Sequence, residues 1–173
     1  MAVYPVAIKL PKTFLVAIGE VVTTWARLEA ELRAVTFKIL RLGPKQGRTA
    51  VRTPRPKEMV QMIEELAHIE GIALSSVDTA ALQAYLEELE TRRNLVTHAL
   101  WLKGPKQTYL VQNLQGSWPK QGDKRVRKRI DPEGIALKPS DLQALSDNIR
   151  DAIQAVRRLS AEISTQLKAP AQK

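Results

Sequence analysis

The chain has no cysteine and only two histidines among its 173 residues, and aromatic residues make up 5% of it. Without cysteine, the chain can form no disulfide bond, no thiol nucleophile and no cysteine-ligated zinc site. A chain free of disulfides suits a reducing compartment, and we expect a cytoplasmic protein. Of the two histidines, we expect His68 to be a surface or packing residue.

Long apolar runs are also missing. The segment from Phe14 to Val22 is short and is interrupted by Glu20, and no basic leader precedes an apolar run at the N-terminus. We therefore expect neither a signal peptide nor a membrane-spanning helix, and no membrane partner. With 173 residues and 44% hydrophobic content, the chain can bury one core, and we expect a single domain over residues 1–173.

Positive charge is in excess and unevenly distributed. The formal net charge of +9 favours a polyanionic partner. Residues 41–57 contain six basic side chains and no acidic one, and residues 101–130 contain eight basic side chains and one acidic one. The remainder of the chain is slightly acidic, so the excess lies in two segments between predicted helices.

Four helices are predicted from apolar residues that recur at intervals of three and four. The first covers about residues 13–41, with a stripe that includes Trp25. The second is shorter, contains Met59 and Met62 as core residues, and ends before Gly71. A basic loop, residues 42–57, separates these two helices, because Gly43-Pro44 and further prolines mark a connection.

The third helix is predicted to start at a cap formed by Ser75 and Asp78 and to continue to Trp101. The last covers about residues 140–167, with Ser140 and Gln143 at the spacing of a capping box. Together these elements predict an all-α protein, an antiparallel four-helix bundle.

A basic β-hairpin or loop, residues 103–138, is expected before the last helix. Residues 108–113 and 125–130 alternate in the two-residue period of a strand and are the expected partners. This segment supplies a candidate nucleic-acid-binding surface, in which basic residues follow the backbone and Trp118 stacks on a base. A solvated edge strand whose charges prevent aggregation is the alternative interpretation. The candidate binding residues are Lys124, Arg125, Arg127, Lys128, Arg129 and Trp118.

The hexapeptide Arg93-Asn94-Leu95-Val96-Thr97-His98 contains the candidate catalytic residues. A histidine can exchange a proton near neutral pH, and an arginine binds phosphate oxygens with a planar fork of donors. At about 100° per residue, Asn94 and His98 share a helix face, whereas Arg93 lies about 140° round from His98. One ideal helix is therefore not expected to direct Arg93 and His98 at the same phosphate. The other histidine, His68, has no metal-ligand spacing, so we expect no metal site and no cofactor.

The hexapeptide resembles the signature of HEPN proteins, a family of small all-helical domains, with Arg93, Asn94 and His98 at the signature positions. The segment Trp25 to Glu29 is also similar to the opening helix of short HEPN-like proteins. The resemblance implies a homodimer in which two motif helices build one composite site. It also implies metal-independent RNA cleavage by the ribose 2′-hydroxyl, with His98 as acid or base, Arg93 on the phosphate and Asn94 orienting His98.

Two other functions fit the same residues. In one, the chain is a dimer that binds nucleic acid without cutting it, and in the other it is a helical regulatory module. Arg93 would then be a surface charge at a helix C-terminus, and His98 a packed residue. Within the ribonuclease interpretation, a toxin held by an antitoxin or other regulatory protein and a phage-defence effector both remain open.

Overall fold

The computed structural model describes residues 7, 9–51, 54–98, 100–104, 109–112, 120–121, 124–125 and 135–168. This part of the chain is mostly helical with a small antiparallel sheet, which confirms the predicted helical class in its coarse form. None of its helices is long and apolar enough to cross a membrane. The elements in chain order are α1 (Lys12–Ile39), α2 (Pro44–Ala50), α3 (Pro56–Ile69), α4 (Thr79–His98), β1 (Leu100–Lys103), β2 (Tyr109–Gln112), β3 (Lys120–Gln121), β4 (Lys124–Arg125), β5 (Ile135–Leu137) and α5 (Pro139–Lys168).

The chain divides into two compact units. The sheet unit consists of Met1–Val22 and Thr91–Leu145, and the helical unit consists of Thr23–Glu90 and Ser146–Lys173. Three helices, α1, α4 and α5, contribute a segment to each unit.

The core of the helical unit follows the predicted apolar stripes. Trp25 and Met59 are buried as expected, whereas Met62 is half-buried. Each large apolar side chain removed from water stabilises the fold by about 1.5–3 kcal/mol. The largest fully buried side chains of the helical unit are Leu28, Leu32, Ile39, Met59, Ile63, Leu86, Leu89, Ile149, Leu159 and Ile163.

The predicted basic loop over residues 42–57 is partly helical, which corrects that prediction. It contains α2 and the start of α3, and each of these helices has a proline in its first turn. A proline is favoured there because its missing N–H would have no intrahelical partner. The backbone N–H of Gly43 donates to Gln46 Oε1 at 3.1 Å, and that of Arg55 donates to Glu58 Oε2 at 3.0 Å.

Much of the positive charge in this segment is paired with acidic side chains of the helical unit. Arg41 lies 3.4 Å from Glu70, Arg55 lies 3.8 Å from Glu90 and Lys57 lies 2.7 Å from Glu87, measured between nitrogen and oxygen atoms. The basic side chain of each pair is at least 41% exposed, so each pair contributes little to stability. They do reduce the charge that the segment offers to a polyanion.

The cap of α4 also differs from the prediction. Asp78 caps the helix, since its Oδ1 accepts the backbone N–H of Ala81 at 2.9 Å. Ser75 does not cap α4. Ser75 and Ser76 instead donate their hydroxyls to the two carboxylate oxygens of Glu162 on α5, each at 2.7 Å, and their backbone N–H groups donate to the same oxygens at 2.9 and 3.1 Å. These bonds, the hydroxyl bonds above all, lower the pKa of the Glu162 carboxyl to about 2.

In the sheet unit, the strand pairing corrects the predicted hairpin. β2, which matches the predicted strand over residues 108–113, lies between β1 and β5 and is antiparallel to both. β4 pairs with β3 instead. Leu110 and Val111 of β2 are buried, so they need apolar neighbouring strands, which β1 and β5 provide and the basic segment does not. Residues 126–130, the remainder of the second predicted strand, lie outside the described residues.

Two helix boundaries in the sheet unit differ from the prediction. α4 ends at His98, and Trp101 lies in β1 rather than in the helix. α5 starts at Pro139, and the backbone N–H of Lys138 donates to Asp141 Oδ2 at 2.8 Å. The predicted capping box of Ser140 and Gln143 is therefore wrong, because the residue before the helix is Lys138 and its backbone N–H is satisfied by Asp141 in the first turn.

The Glu162 contacts predict a dependence of stability on pH. The folded-state pKa lies below the ordinary value of 4.5, so the contribution is fully present above that value and is lost as the pH falls to about 2. Glu162→Gln should lower the melting temperature near pH 7 and make no difference near pH 2. Circular dichroism melts across this range measure the effect, with Asp151→Asn on α5 as control. A difference between wild type and Glu162→Gln that is constant with pH would contradict the prediction.

Gly47 on α2 packs against Phe37 on α1. A Cβ atom at position 47 would lie 2.5 Å from Cδ1 of that ring. We expect Gly47→Ala to destabilise the protein by about 1–3 kcal/mol, because overpacking outweighs the better helix propensity of alanine. Urea unfolding measures this, with Ala50→Gly at the exposed end of α2 as a control without overpacking. If Gly47→Ala is at least as stable as wild type, the Phe37 ring moves aside freely and the prediction is wrong.

Candidate active site

The hexapeptide forms the last turns of α4 and belongs to the sheet unit. Val96 is buried and fixes one side of this turn, while Arg93 and Asn94 are half-buried and His98 is exposed. The hydroxyl of Thr97 donates to the carbonyl oxygen of Arg93 at 3.0 Å, within the helix. The two ionisable side chains of the motif are therefore accessible to a ligand, and His98 is not a packed core residue.

Arg93 brings the three motif side chains together. Its Nη1 donates to Asn94 Oδ1 at 2.9 Å and lies 3.4 Å from His98 Nε2. The expectation that Arg93 and His98 diverge on one helix is wrong, because the long arginine side chain spans the angle between them. Asn94 contacts Arg93 directly, so its amide positions the guanidinium.

The contact between Arg93 and His98 is a hydrogen bond in only one tautomer of the imidazole. A guanidinium donates hydrogen bonds and accepts none. Nε2 can therefore accept from Arg93 only in the neutral tautomer that has its proton on Nδ1. At 3.4 Å the bond is long, so an anion that binds the guanidinium can displace it.

An aromatic cluster fixes the end of α4. The indole Nε1 of Trp101 donates at 3.3 Å to the carbonyl oxygen of Val96, one of the four carbonyls that a helix end leaves without an intrahelical partner. Phe14 of α1 meets Trp101 edge to face at a ring-centroid distance of 5.7 Å and lies 5.0 Å from the ring of Tyr109. The last turn, with His98 on it, is thus held by β1 and α1.

The motif forms a surface site. The sheet unit also contains a cavity of about 520 Å³, but α1 residues from Lys12 to Glu20 and α5 residues from Pro139 to Gln143 line it, and no motif residue does. Small-molecule sites are typically concave and enclose their ligand. The exposed imidazole of His98 lies outside this cavity.

The predicted nucleic-acid-binding residues are described only in part. Lys124 and Arg125 form β4, which is antiparallel to Lys120–Gln121. Trp118, Arg127, Lys128 and Arg129 lie outside the described residues, so their role stays a prediction. His68 is exposed on α3. Among the described residues, no three side chains of histidine, aspartate or glutamate are grouped so that they could hold a metal ion.

Sequence reasoning missed two features with functional consequences. One is the role of Trp101, which we assigned to the helix although Leu100 to Leu102 is an apolar run suited to a buried strand. The other is α2, whose start was signalled by Pro44 with Gln46 two residues later.

A comparison with protein-family models, curated protein sequences and solved structures gave no match to this chain.

The tautomer of His98 is directly testable. In the wild type, long-range ¹H–¹⁵N NMR should show the proton on Nδ1 of neutral His98, and Arg93→Ala should lift this restriction because the donor to Nε2 is removed. His68, exposed on another helix, is an internal control whose signals should not change. A proton on Nε2 of neutral His98 in the wild type would contradict the hydrogen bond from Arg93 to that nitrogen.

Proposed function

We propose that this chain is a metal-independent endoribonuclease of the HEPN type, with Arg93, Asn94 and His98 as its site. The observation that supports this most directly is the Arg93 guanidinium, which lies between the Asn94 amide and the exposed His98 imidazole. A fixed cation beside a proton-transfer group is what cleavage of a phosphodiester by its own 2′-hydroxyl requires. The four-helix HEPN arrangement is part of this proposal.

In the proposed reaction, a phosphate of the RNA binds the Arg93 guanidinium and takes over the donors that face His98. The freed Nε2 of His98 removes the proton of the ribose 2′-hydroxyl, whose oxygen attacks the adjacent phosphorus. The bond from phosphorus to the 5′-oxygen breaks as the new bond forms, which leaves a 2′,3′-cyclic phosphate. Arg93 stabilises the negative charge that develops on the phosphate oxygens.

The leaving 5′-oxygen needs a proton, and one neutral imidazole cannot give and take protons in the same step. A homodimer would supply a second His98 in its protonated form, so that one histidine acts as base and the other as acid. This argument favours the composite site even though Arg93 and His98 already meet within one chain. A homodimer, RNA as substrate and a cytoplasmic location belong to the proposal, as does regulation by an antitoxin-like protein.

The test is incubation of mixed RNAs with wild type and variants in EDTA. We expect His98→Ala to slow cleavage by about 10²–10⁴-fold and Arg93→Ala by about 10²–10³-fold, since these remove proton transfer and charge stabilisation. His68→Ala and Arg92→Ala are matched controls that should stay near wild-type activity. Circular dichroism should show that all variants fold.

Two outcomes would refute the ribonuclease assignment: equal cleavage by all variants, or cleavage that stops when divalent cations are removed. Salt-sensitive RNA binding with unchanged product length over time would favour the non-catalytic binding dimer instead.

A further inference from the structure

A groove in the helical unit is lined by residues of α1 and α2. Its volume is about 470 Å³, within the range of about 300–1,000 Å³ that is usual for ligand sites. Ala30, Ala34 and Phe37 from α1 contribute apolar lining, as do Pro44 and Val51 at the two ends of α2. We call this surface the α1–α2 groove.

The orientation of Phe37 is fixed by its packing. Gly47 approaches the ring so closely that there is no room for even a methyl group, while the ring is half-buried and lines the groove. A rigid, partly accessible aromatic ring is a platform on which a planar group can stack.

The rim of the α1–α2 groove is positively charged. Arg33 of α1 and Arg48 of α2 line it, and its lining, which consists wholly of described residues, includes no acidic side chain. The neighbouring Arg41, Arg55 and Lys57 differ, since each lies within 4 Å of a glutamate. Two arginines beside an apolar floor fit a ligand that combines a flat apolar group with flanking negative charges.

We propose that the α1–α2 groove binds one nucleotide of single-stranded RNA, with its base stacked on Phe37 and its flanking phosphates held by Arg33 and Arg48. The net charge of +9 favours a polyanionic ligand, whether nucleic acid or acidic peptide. A peptide could pair with the arginines, but it would not present a planar base at every position along the chain. The inference goes beyond the proposed cleavage, because the groove belongs to the helical unit, not to the unit that contains Arg93 and His98.

The experiment measures binding of a fluorescently labelled single strand of 2′-O-methyl RNA, about a dozen nucleotides long, to the full chain by anisotropy. This probe has no free 2′-hydroxyl and cannot be cut by the proposed reaction, so binding is measured apart from cleavage. His68→Ala, which lies outside both the motif and the groove lining, should bind it as wild type does. Binding to the groove and cleavage at the motif are therefore tested separately, because either one can fail while the other succeeds.

Three variants separate the contributions. Arg33→Gln with Arg48→Gln should weaken binding at least about tenfold and should reduce the slope of log affinity against log salt by about 0.7 for each lost phosphate contact. Ala34→Leu, at an exposed position in the groove lining, should weaken binding about 5- to 100-fold without changing that slope, because it blocks stacking and keeps the charge. Lys45→Gln removes a charge from the same short helix outside the groove lining and should have less than about a twofold effect.

The proposal is overturned if wild type does not bind the strand, or if the arginine and Ala34 variants bind as tightly as Lys45→Gln. It is also overturned if an acidic peptide displaces the strand from wild type but an equal concentration of unlabelled RNA does not. Unchanged circular dichroism of every variant ensures that lost binding is not lost fold.

Discussion

The candidate site depends on where α4 ends. One more turn of helix would carry Trp101 away from Val96 and Phe14, and β1 could not start at Leu100. The Trp101 indole donates a hydrogen bond to the carbonyl oxygen of Val96 in the last turn of α4. The helix therefore ends at His98 with that carbonyl satisfied. The exposed imidazole is therefore placed on a turn held by aromatic packing and by the sheet, so it does not lie on a fraying helix end.

Net charge does not show which basic residues are available to bind a polyanion. Residues 41–57 contain six basic side chains and no acidic one, yet Arg41 lies beside Glu70, the residue after α3, and Arg55 and Lys57 lie beside Glu90 and Glu87 of α4. Those contacts hold the start of α3 against its neighbours within the helical unit. Arg33 and Arg48 differ from these three residues, because the lining of the α1–α2 groove contains no acidic side chain. A count of basic residues does not reveal this difference.

Helices were predictable from the sequence because burial of a stripe constrains every third or fourth residue, as Leu28 and Leu32 show. The cap of α4 was not predictable, since Ser75 and Asp78 have similar capping chemistry and the competing partner of Ser75 is Glu162, 87 residues away. The prediction of the partner strand of β2 failed for a related reason. Strand pairing depends on which side chains are buried in the folded protein, and these come from distant parts of the sequence. The three motif residues were identified from the sequence, but their contact was not, because an angle on a helical wheel ignores side-chain length.

The 3.4 Å contact between Arg93 and His98 has a further consequence for the proposed nuclease. While the guanidinium faces Nε2, the lone pair that would remove a proton is masked. Only a group that competes for the guanidinium, such as a phosphodiester, unmasks it. The resting protein would then be a latent base, in which arrival of the substrate and activation of the histidine are one event.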